Sequence, residues 1–540
     1  MPLVALGVAV ALAVWGGSRD ISSEAAVSMH GDMARYLMNG VFLRDLAASG
    51  AFLSWNGLIR FGEMYYAQYP ALSIGHHPPL LPGVLAVAFE LFGVSVTVGR
   101  SVSVAAFVVA VCALFALATR LFGWRAGGWT AALFATHPAI VSFGQQVMAE
   151  MLMLSLVCLA FWQLFVFLQT VRVRHLAAFV LLAVLSVAAR QLAVVAVPGY
   201  LAAGLISGRW RRLLRREMLL AALAGVLVLV PLAILTFELS PYNVGYVLNY
   251  RNRDLESTIH GGRTVVATHL QPWLWAGVAA AVVAALVHRD RRLLLPLGWG
   301  VGGLFMLLVL TGDLGADRYS LALVPAFCLT AGALDVDDRA RWFRRVSVLG
   351  LAAILAAQMM ASAQVRPVGA SYEAAARWVV AQPDTPTVMF SGPVDTGYFV
   401  FFVRKHDPGR RLVVLRSDKI FTTSLMDKLA REERIGSPAD IYPILQRFGT
   451  RFVVIEDVPV GPAPLVWFHR ELASPRFAER LRIRQQTRDV RLQGSDLVIY
   501  EYLDATAPDP AAVIDLSLPL IGRELAVPLA DLLDAGATVP

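Results

Sequence analysis

The sequence predicts a polytopic α-helical membrane protein with a C-terminal extracytoplasmic α/β domain, and three observations carry that prediction. The chain of 540 residues is 57% hydrophobic and only 16% charged, with a mean hydropathy of +0.61, far above what a soluble globular chain carries. Runs such as Met151 to Thr170 and Met218 to Phe237 hold no charged residue and are long enough to cross roughly 30 Å of hydrocarbon as helix. Beyond Arg366 the composition shifts, and all three lysines of the chain, Lys405, Lys419 and Lys428, lie there. Together these exclude a soluble enzyme, a collagen-like chain and a disordered one. The runs are apolar on every face, whereas a transmembrane barrel would show short alternating segments, so helices carry the membrane part.

Orientation follows from arginine. Clusters at Arg120/Arg125, Arg172/Arg174, Arg209 to Arg216, Arg289 to Arg292 and Arg339 to Arg345 separate the apolar runs. The positive-inside rule puts all of them in the cytoplasm, so an even number of crossings must join each pair. Leu3 to Gly16 has the length of a signal peptide but lacks a preceding basic residue, and it is expected to remain as a first helix. Ser101 to Thr119 then returns inward. Between these two lies a first external loop, residues 18 to 100, in which the run Pro78 to Val98 holds Glu90 and three prolines and is expected to be interfacial or re-entrant. Gly127 to Phe143 pairs with Met151 to Thr170. Leu176 to Ser207 is interrupted at Arg190-Gln191, so parity requires a hairpin of two short helices with Arg190 at its outer tip. Met218 to Phe237 pairs with Pro272 to Val287, and Leu293 to Thr311 with Ser320 to Leu334. Val346 to Ala363 leads out. About eleven crossings result, with the N-terminus cytoplasmic. The domains are then residues 1 to 365 in the membrane and 366 to 540 outside it.

In the tail, Thr387 to Phe390, Leu412 to Leu415, Arg451 to Ile455 and Leu497 to Tyr502 read as strands, and Tyr372 to Ala381 and Ala439 to Phe448 as helices. Val513 to Leu533 reads as a strand pair and closing turn. No glycine-rich phosphate loop follows any strand, so nucleotide binding has no support. The net charge of +8 resides in the loop clusters that orient the chain, and no nucleic-acid partner is expected. Cys112, Cys158 and Cys328 lie inside apolar runs and read as small buried hydrophobes.

Ionisable groups at the membrane surface are the informative ones, because they are costly there unless they pair or work. Asp32, in MHGDMARYLMNG, is a carboxylate that could take a proton from a hydroxyl nucleophile, with Arg35 and Tyr36 a helical turn on; a helix cap is the plain alternative. His76 and His77, in GHHPPLLPG, precede a proline-started helix and could hold a phosphate, or simply anchor the interface. As a tandem pair they are expected to diverge, and so to make no zinc site unless Asp32 or Glu150 joins them. Glu150 opens a helix, where the dipole favours a carboxylate in any case. Arg190, between two apolar arms, needs an anion, either Glu150 or a lipid phosphate. GDLGADRYS adds Asp313, Asp317, Arg318 and Tyr319. The loop from Glu238 to Leu270 adds Tyr242, Tyr246, Tyr250, Arg251, Arg253 and His260, either as an acceptor cover or as an aromatic belt. All of these are expected on one outer face, suited to an anionic lipid headgroup and a hydroxyl acceptor.

The order of these motifs, an aspartate shortly before Tyr36, HHPPLLPG, LFGVSVTVGR, RLFG, a glutamate opening the fourth helix and DRYSLALVP, resembles the GT-C glycosyltransferases. Within them it is most similar to the protein O-mannosyltransferase and lipid A aminoarabinose transferase superfamily. The resemblance covers roughly Leu3 to Leu334. It implies that Asp32 is catalytic, that His77 helps to hold a polyprenyl phosphate, that the second external carboxylate is Glu150, and that Arg190 and Arg318 are the outward arginines. Two departures stand out. Met33 follows Asp32 where the family often has glutamate, which speaks against a metal role. His77 stands where lysine is common, which suggests a phosphate grip that weakens at high pH.

The implied reaction is an inverting displacement at the anomeric carbon on the outer face of a bacterial inner membrane. Asp32 would be the base, Glu150 the second catalytic carboxylate, and His76, His77, Arg190 and Arg318 the phosphate grip. Arg35, Tyr36, Asp317 and Tyr319 would line the substrate cavity. No metal or other cofactor is required, and a divalent metal, which the site could take, has no support in the sequence. The donor would be a polyprenyl-phosphate-linked sugar, and the acceptor a lipid, protein or polysaccharide. The rival is a transporter or flippase of a lipid-linked sugar, which usually shows repeated halves that this sequence lacks.

Overall fold

The computed structural model describes all residues except 25, 28–30, 74–75, 207, 240–255, 257–258, 261–262, 264–269, 312–316, 337–340, 367, 370, 393–395, 424–431, 459–460, 486, 488–490, 519–522 and 538–540. The chain folds as two compact units. The first comprises Met1–Ile21, Gly75–Leu81 and Arg100–Arg366; the second comprises Ser22–Ile74, Pro82–Gly99 and Pro367–Pro540. Most of residues 18 to 100, read from the sequence as one external loop, thus belong with the tail.

Among the described residues, the helices up to the tail include α1 (Pro2–Gly17), α2 (Asp32–Ser49), α3 (Trp55–Gln68), α4 (Leu80–Phe92), α5 (Val96–Phe122), α6 (Trp124–Thr136), α7 (Pro138–Gly144), α8 (Ala149–Thr170), α9 (Val173–Ala189), α10 (Val197–Ile206), α11 (Arg216–Leu239), α12 (Pro272–His288), α13 (Leu294–Thr311), α14 (Val324–Gly332) and α15 (Arg341–Ala363). Five stretches among the described residues are long and apolar enough to cross a membrane: Val96–Phe122, Ala149–Thr170, Arg216–Glu238, Arg291–Val309 and Arg341–Ala363. The apolar helices α1, α4, α9 and α12 are shorter.

Two expected spans are broken. Gly127 to Phe143 splits at His137, which is extended (φ −65°, ψ 124°) ahead of Pro138 at the first position of α7; a residue before proline is pushed out of the α region, and proline opens a new helix without loss. Ser320 to Leu334 folds as a 3₁₀ turn, Leu321–Leu323, followed by the nine-residue α14 with Pro325 in its first turn. The hairpin expected between Leu176 and Ser207 is present as α9, an extended Arg190 (φ −159°, ψ 129°), a 3₁₀ stretch Gln191–Ala196 and α10. Its second arm is fixed by small residues. A Cβ on Gly298 would lie 2.4 Å from Ala202 Cβ, and one on Gly302 would lie 2.5 Å from Pro198 Cβ, so α10 and α13 approach to backbone distance. Phe161 of α8 stacks on Trp299 at 4.1 Å.

The second unit is built on a five-stranded sheet of order β4-β3-β7-β9-β8, from β3 (Thr387–Ser391), β4 (Val413–Arg416), β7 (Thr450–Glu456), β8 (Phe477–Arg484) and β9 (Asp496–Tyr502). β3 pairs parallel with β4 and β7, while β9 runs antiparallel to β7 and β8. Helices α16 (Tyr372–Val380), α17 (Thr396–His406), α18 (Ile441–Arg447) and α19 (Ala463–Glu471) join the strands. The short pair β5 (Thr422–Thr423) and β6 (Glu432–Glu433) and the hairpin of β10 (Val513–Leu518) and β11 (Arg523–Pro528) are antiparallel, and α20 (Leu529–Ala537) follows the hairpin. Met389, Val413, Val453, Ile455 and Val498 form the centre of its core. β1 (Ala26–Val27) pairs with β2 (Val368–Gly369), tying the early loop to the start of the tail.

Candidate active site

In the first unit, Glu150 opens α8 and is fully buried. Arg190 sits at the break between two helices, where the extended backbone lets its side chain leave the hairpin. The guanidinium Nη1 of Arg190 donates to Glu150 Oε1 in a close ion pair, with side-chain exposures of 12% and 0%. Glu150 is at once in the first helical turn, where the dipole favours an anion, and paired with a charge-assisted donor. The ring of Tyr319 completes this group. Arg190 lies 5.9 Å and Arg318 5.2 Å from its centroid, and Arg318 Nη2 donates to the Tyr319 hydroxyl at 3.3 Å. Four sequence-predicted residues are therefore neighbours. His76 and His77, in the same unit, are half-buried, and their rings meet edge to face at 4.5 Å. The expected divergence of the two histidines is not observed: both rings lie together just ahead of Pro78-Pro79.

In the second unit, Asp32 is the first residue of α2, with Gly31 as its cap. Arg35, one turn on, lies 3.5 Å from it, with side-chain exposures of 42% for Arg35 and 15% for Asp32. An ion pair with so exposed a partner is weak, so Arg35 adjusts the field at Asp32 and does not lock it. Tyr36 is buried in the same helix. Asp317 belongs to a helical turn, Asp317–Ser320. Asp313, Tyr242, Tyr246, Tyr250, Arg251 and Arg253 lie outside the described residues.

Several polar groups escaped sequence reading. Arg100 is completely buried and donates to the carbonyls of Gln145, Arg19 and Asp20. Gln145 in turn donates to the Gly16 carbonyl at 2.8 Å. This clamp gathers the ends of α1 and α7 just before the turn that leads to Glu150, where a cation meets the negative ends of two helices. In the second unit, Glu24 accepts from the backbone N–H groups of Val96 and Thr97 at 3.0 and 3.1 Å and from Lys405 Nζ at 2.8 Å. Arg404 pairs with Asp45 at 2.7 Å, both buried. Burial alone would lower the Arg404 guanidinium, but its surroundings, with the Asp45 carboxylate that accepts its hydrogen bonds among them, outweigh that and raise it. Of these, Asp45 carried a signal that the sequence reading passed over, since it continues the i, i+4 stripe of Met33, Leu37 and Val41, all buried.

Residues 76–235 match the dolichyl-phosphate-mannose-protein mannosyltransferase family. The structure superposes on ArnT from Cupriavidus metallidurans in the apo state with a TM-score of 0.59 and 16% identity, covering 94% of this chain and 99% of that one. The same protein bound to undecaprenyl phosphate gives 0.57 and 15%, with the same coverage. The Archaeoglobus fulgidus oligosaccharyltransferase gives 0.51 and 12%, covering 84% of this chain and 69% of that one. This is the fold of the GT-C glycosyltransferases. The family match lies on that fold, in keeping with the resemblance that the order of motifs carries. No curated protein sequence matches it.

Proposed function

We propose that this GT-C protein moves a sugar from a polyprenyl-phosphate donor to a hydroxyl acceptor on the outer face of the bacterial inner membrane, inverting the anomeric centre. The observation that carries the reading is the buried Arg190–Glu150 pair beside Tyr319 and Arg318, at a helix break in an apolar helical unit. A guanidinium fixed in such a place by a single carboxylate is pre-organised for a phosphate. The undecaprenyl phosphate in the superposed ArnT structure supports a lipid phosphate as that anion.

In this scheme Asp32 takes the proton of the acceptor hydroxyl as its oxygen attacks the anomeric carbon. The bond from that carbon to the phosphate oxygen breaks, and the charge that develops on the leaving phosphate is met by Arg190, Arg318 and the His76–His77 pair. Glu150 orients Arg190. The C-terminal domain is read as extracytoplasmic, on the acceptor side, and the scheme requires no metal.

The test uses the full chain in liposomes with synthetic undecaprenyl-phosphate hexoses and pentoses and a crude envelope acceptor. Wild type is expected to release undecaprenyl phosphate, with or without EDTA. Asp32→Asn is expected to bind donor yet release at least a hundredfold less, the scale of a lost general base. Release abolished by EDTA would overturn the metal-free scheme. Donor movement between leaflets without release would establish the flippase instead.

A further inference from the structure

The C-terminal domain takes no chemical part in that scheme, yet one of its arginines is built into the helix that carries the proposed base. α2 begins at Asp32 and ends at Ser49. Asp45, 45 − 32 = 13 residues further along the same helix, is about 20 Å from Asp32 at 1.5 Å per residue. Arg404, on α17 of the domain, donates through Nε and Nη2 to Asp45 Oδ2 at 3.0 and 2.7 Å. The Tyr65 hydroxyl donates to the same oxygen at 2.8 Å, and Arg44 lies 3.1 Å from Oδ1. Arg404 also donates to the Asp407 carbonyl at 3.2 Å, which fixes it to the end of its own helix.

An apolar residue at position 45 would bury this stripe of α2 as well or better, because well-packed hydrophobic replacements of buried ion pairs are often neutral or stabilising. What the ion pair supplies and a greasy contact does not is register, since its donors define one axial position and one rotation of the helix. Elsewhere on α2, side-chain hydrogen bonds reach the early part of the chain. Asn39 exchanges hydrogen bonds with Ser73 at 3.0 and 3.2 Å, and Gly40 lies under Leu85 and Phe89. Arg404, 359 positions away in sequence, links α2 to the sheet domain.

We infer that Arg404 and Asp45 are positioning residues for the transfer reaction: their buried pair sets the axial position of α2 and so places Asp32, which makes the C-terminal domain a working part of the catalytic apparatus. This rests on the reading of Asp32 as the base.

The test takes Arg404→Gln and Asp45→Asn, each in the full chain in lipid nanodiscs, and follows backbone hydrogen exchange together with undecaprenyl phosphate release. Both variants are expected to exchange the amides of residues 33 to 49 at least tenfold faster, with β3, β4 and β7 as protected as in wild type. kcat should fall at least tenfold while the donor KM stays within twofold. Wild-type protection of α2 in both variants would overturn the inference. So would faster exchange spread through β3, β4 and β7, which marks a domain coming apart and not a helix coming loose. Asp32→Asn, run alongside, separates the two layers: wild-type release from it would overturn the base assignment itself, whatever the exchange of α2.

Discussion

The Arg190–Glu150 pair makes a prediction in which stability and activity should part company. The carboxylate is fully buried and the guanidinium nearly so. Removing one member strands the other as an uncompensated buried charge, which costs about 3–5 kcal/mol. At roughly 2 °C per kcal/mol for a large domain, Arg190→Met and Glu150→Leu should each lower the melting temperature by about 6–10 °C. The double variant removes both charges and both desolvation penalties, so it should recover to within about 1 kcal/mol of wild type. Thermal melts of the four proteins in one detergent give the coupling energy directly. Sugar transfer should follow a different order: the double variant, although restored to near wild-type stability, should stay as inactive as Arg190→Met, because the phosphate has lost the Arg190 member of its cationic grip. Additive losses in the melts would show that the pair is screened by solvent and not buried. A stable, active double variant would remove Arg190 from the donor grip.

Two further outcomes follow from the second unit. The hydrogen bond from His406 at 3.0 Å and the ammonium of Lys405 at 2.8 Å hold the Glu373 carboxyl down to about 2 against the opposing effect of burial. Because the folded value lies below the ordinary 4.5, the stability it contributes is complete above that value and is lost as the pH falls toward 2. Glu373→Gln should therefore flatten the acid limb of unfolding between those limits, and a limb identical to wild type would contradict the network. Gly40 of α2 has no room for a side chain, since a Cβ there would lie 2.8 Å from Leu85 Cβ and 3.1 Å from Phe89 Cε2. Gly40→Val should cost roughly 1–3 kcal/mol by overpacking, read as a lower melting temperature, and an unshifted melt would mean that α4 does not press on α2 at this position.

Much of the fold was legible because the signals were local. An uncharged run of 20 residues has one outcome in a membrane, and Arg190-Gln191 inside an apolar stretch marked a helix break that the backbone makes at Arg190. The strands at Thr387, Leu412, Arg451 and Leu497 were readable as β-branched runs, and each is in the sheet. β8 was not, because its sequence FAERLRIR carries charge at alternate positions and reads as surface; it is an edge strand, where such charges discourage pairing with another chain. The break at His137-Pro138 was missed because apolar periodicity continues through it, although the proline was the signal.

Site residues divide along the same line. Asp32, Glu150 and Arg190 could be singled out as candidates because the arginine topology puts each of these ionisable groups at the outer membrane surface. Asp45 was also a charge on a buried stripe, but its meaning depends on Arg404 more than three hundred residues later, and no spacing rule reaches that far. Arg100 is a stronger case: its partners are the carbonyls of Arg19, Asp20 and Gln145, groups every residue has, so nothing in the sequence distinguishes the three positions that receive it. The residues that can do chemistry declare themselves by type, whereas those that hold the chemistry in place are defined by distant or backbone partners and become visible only once the chain is folded.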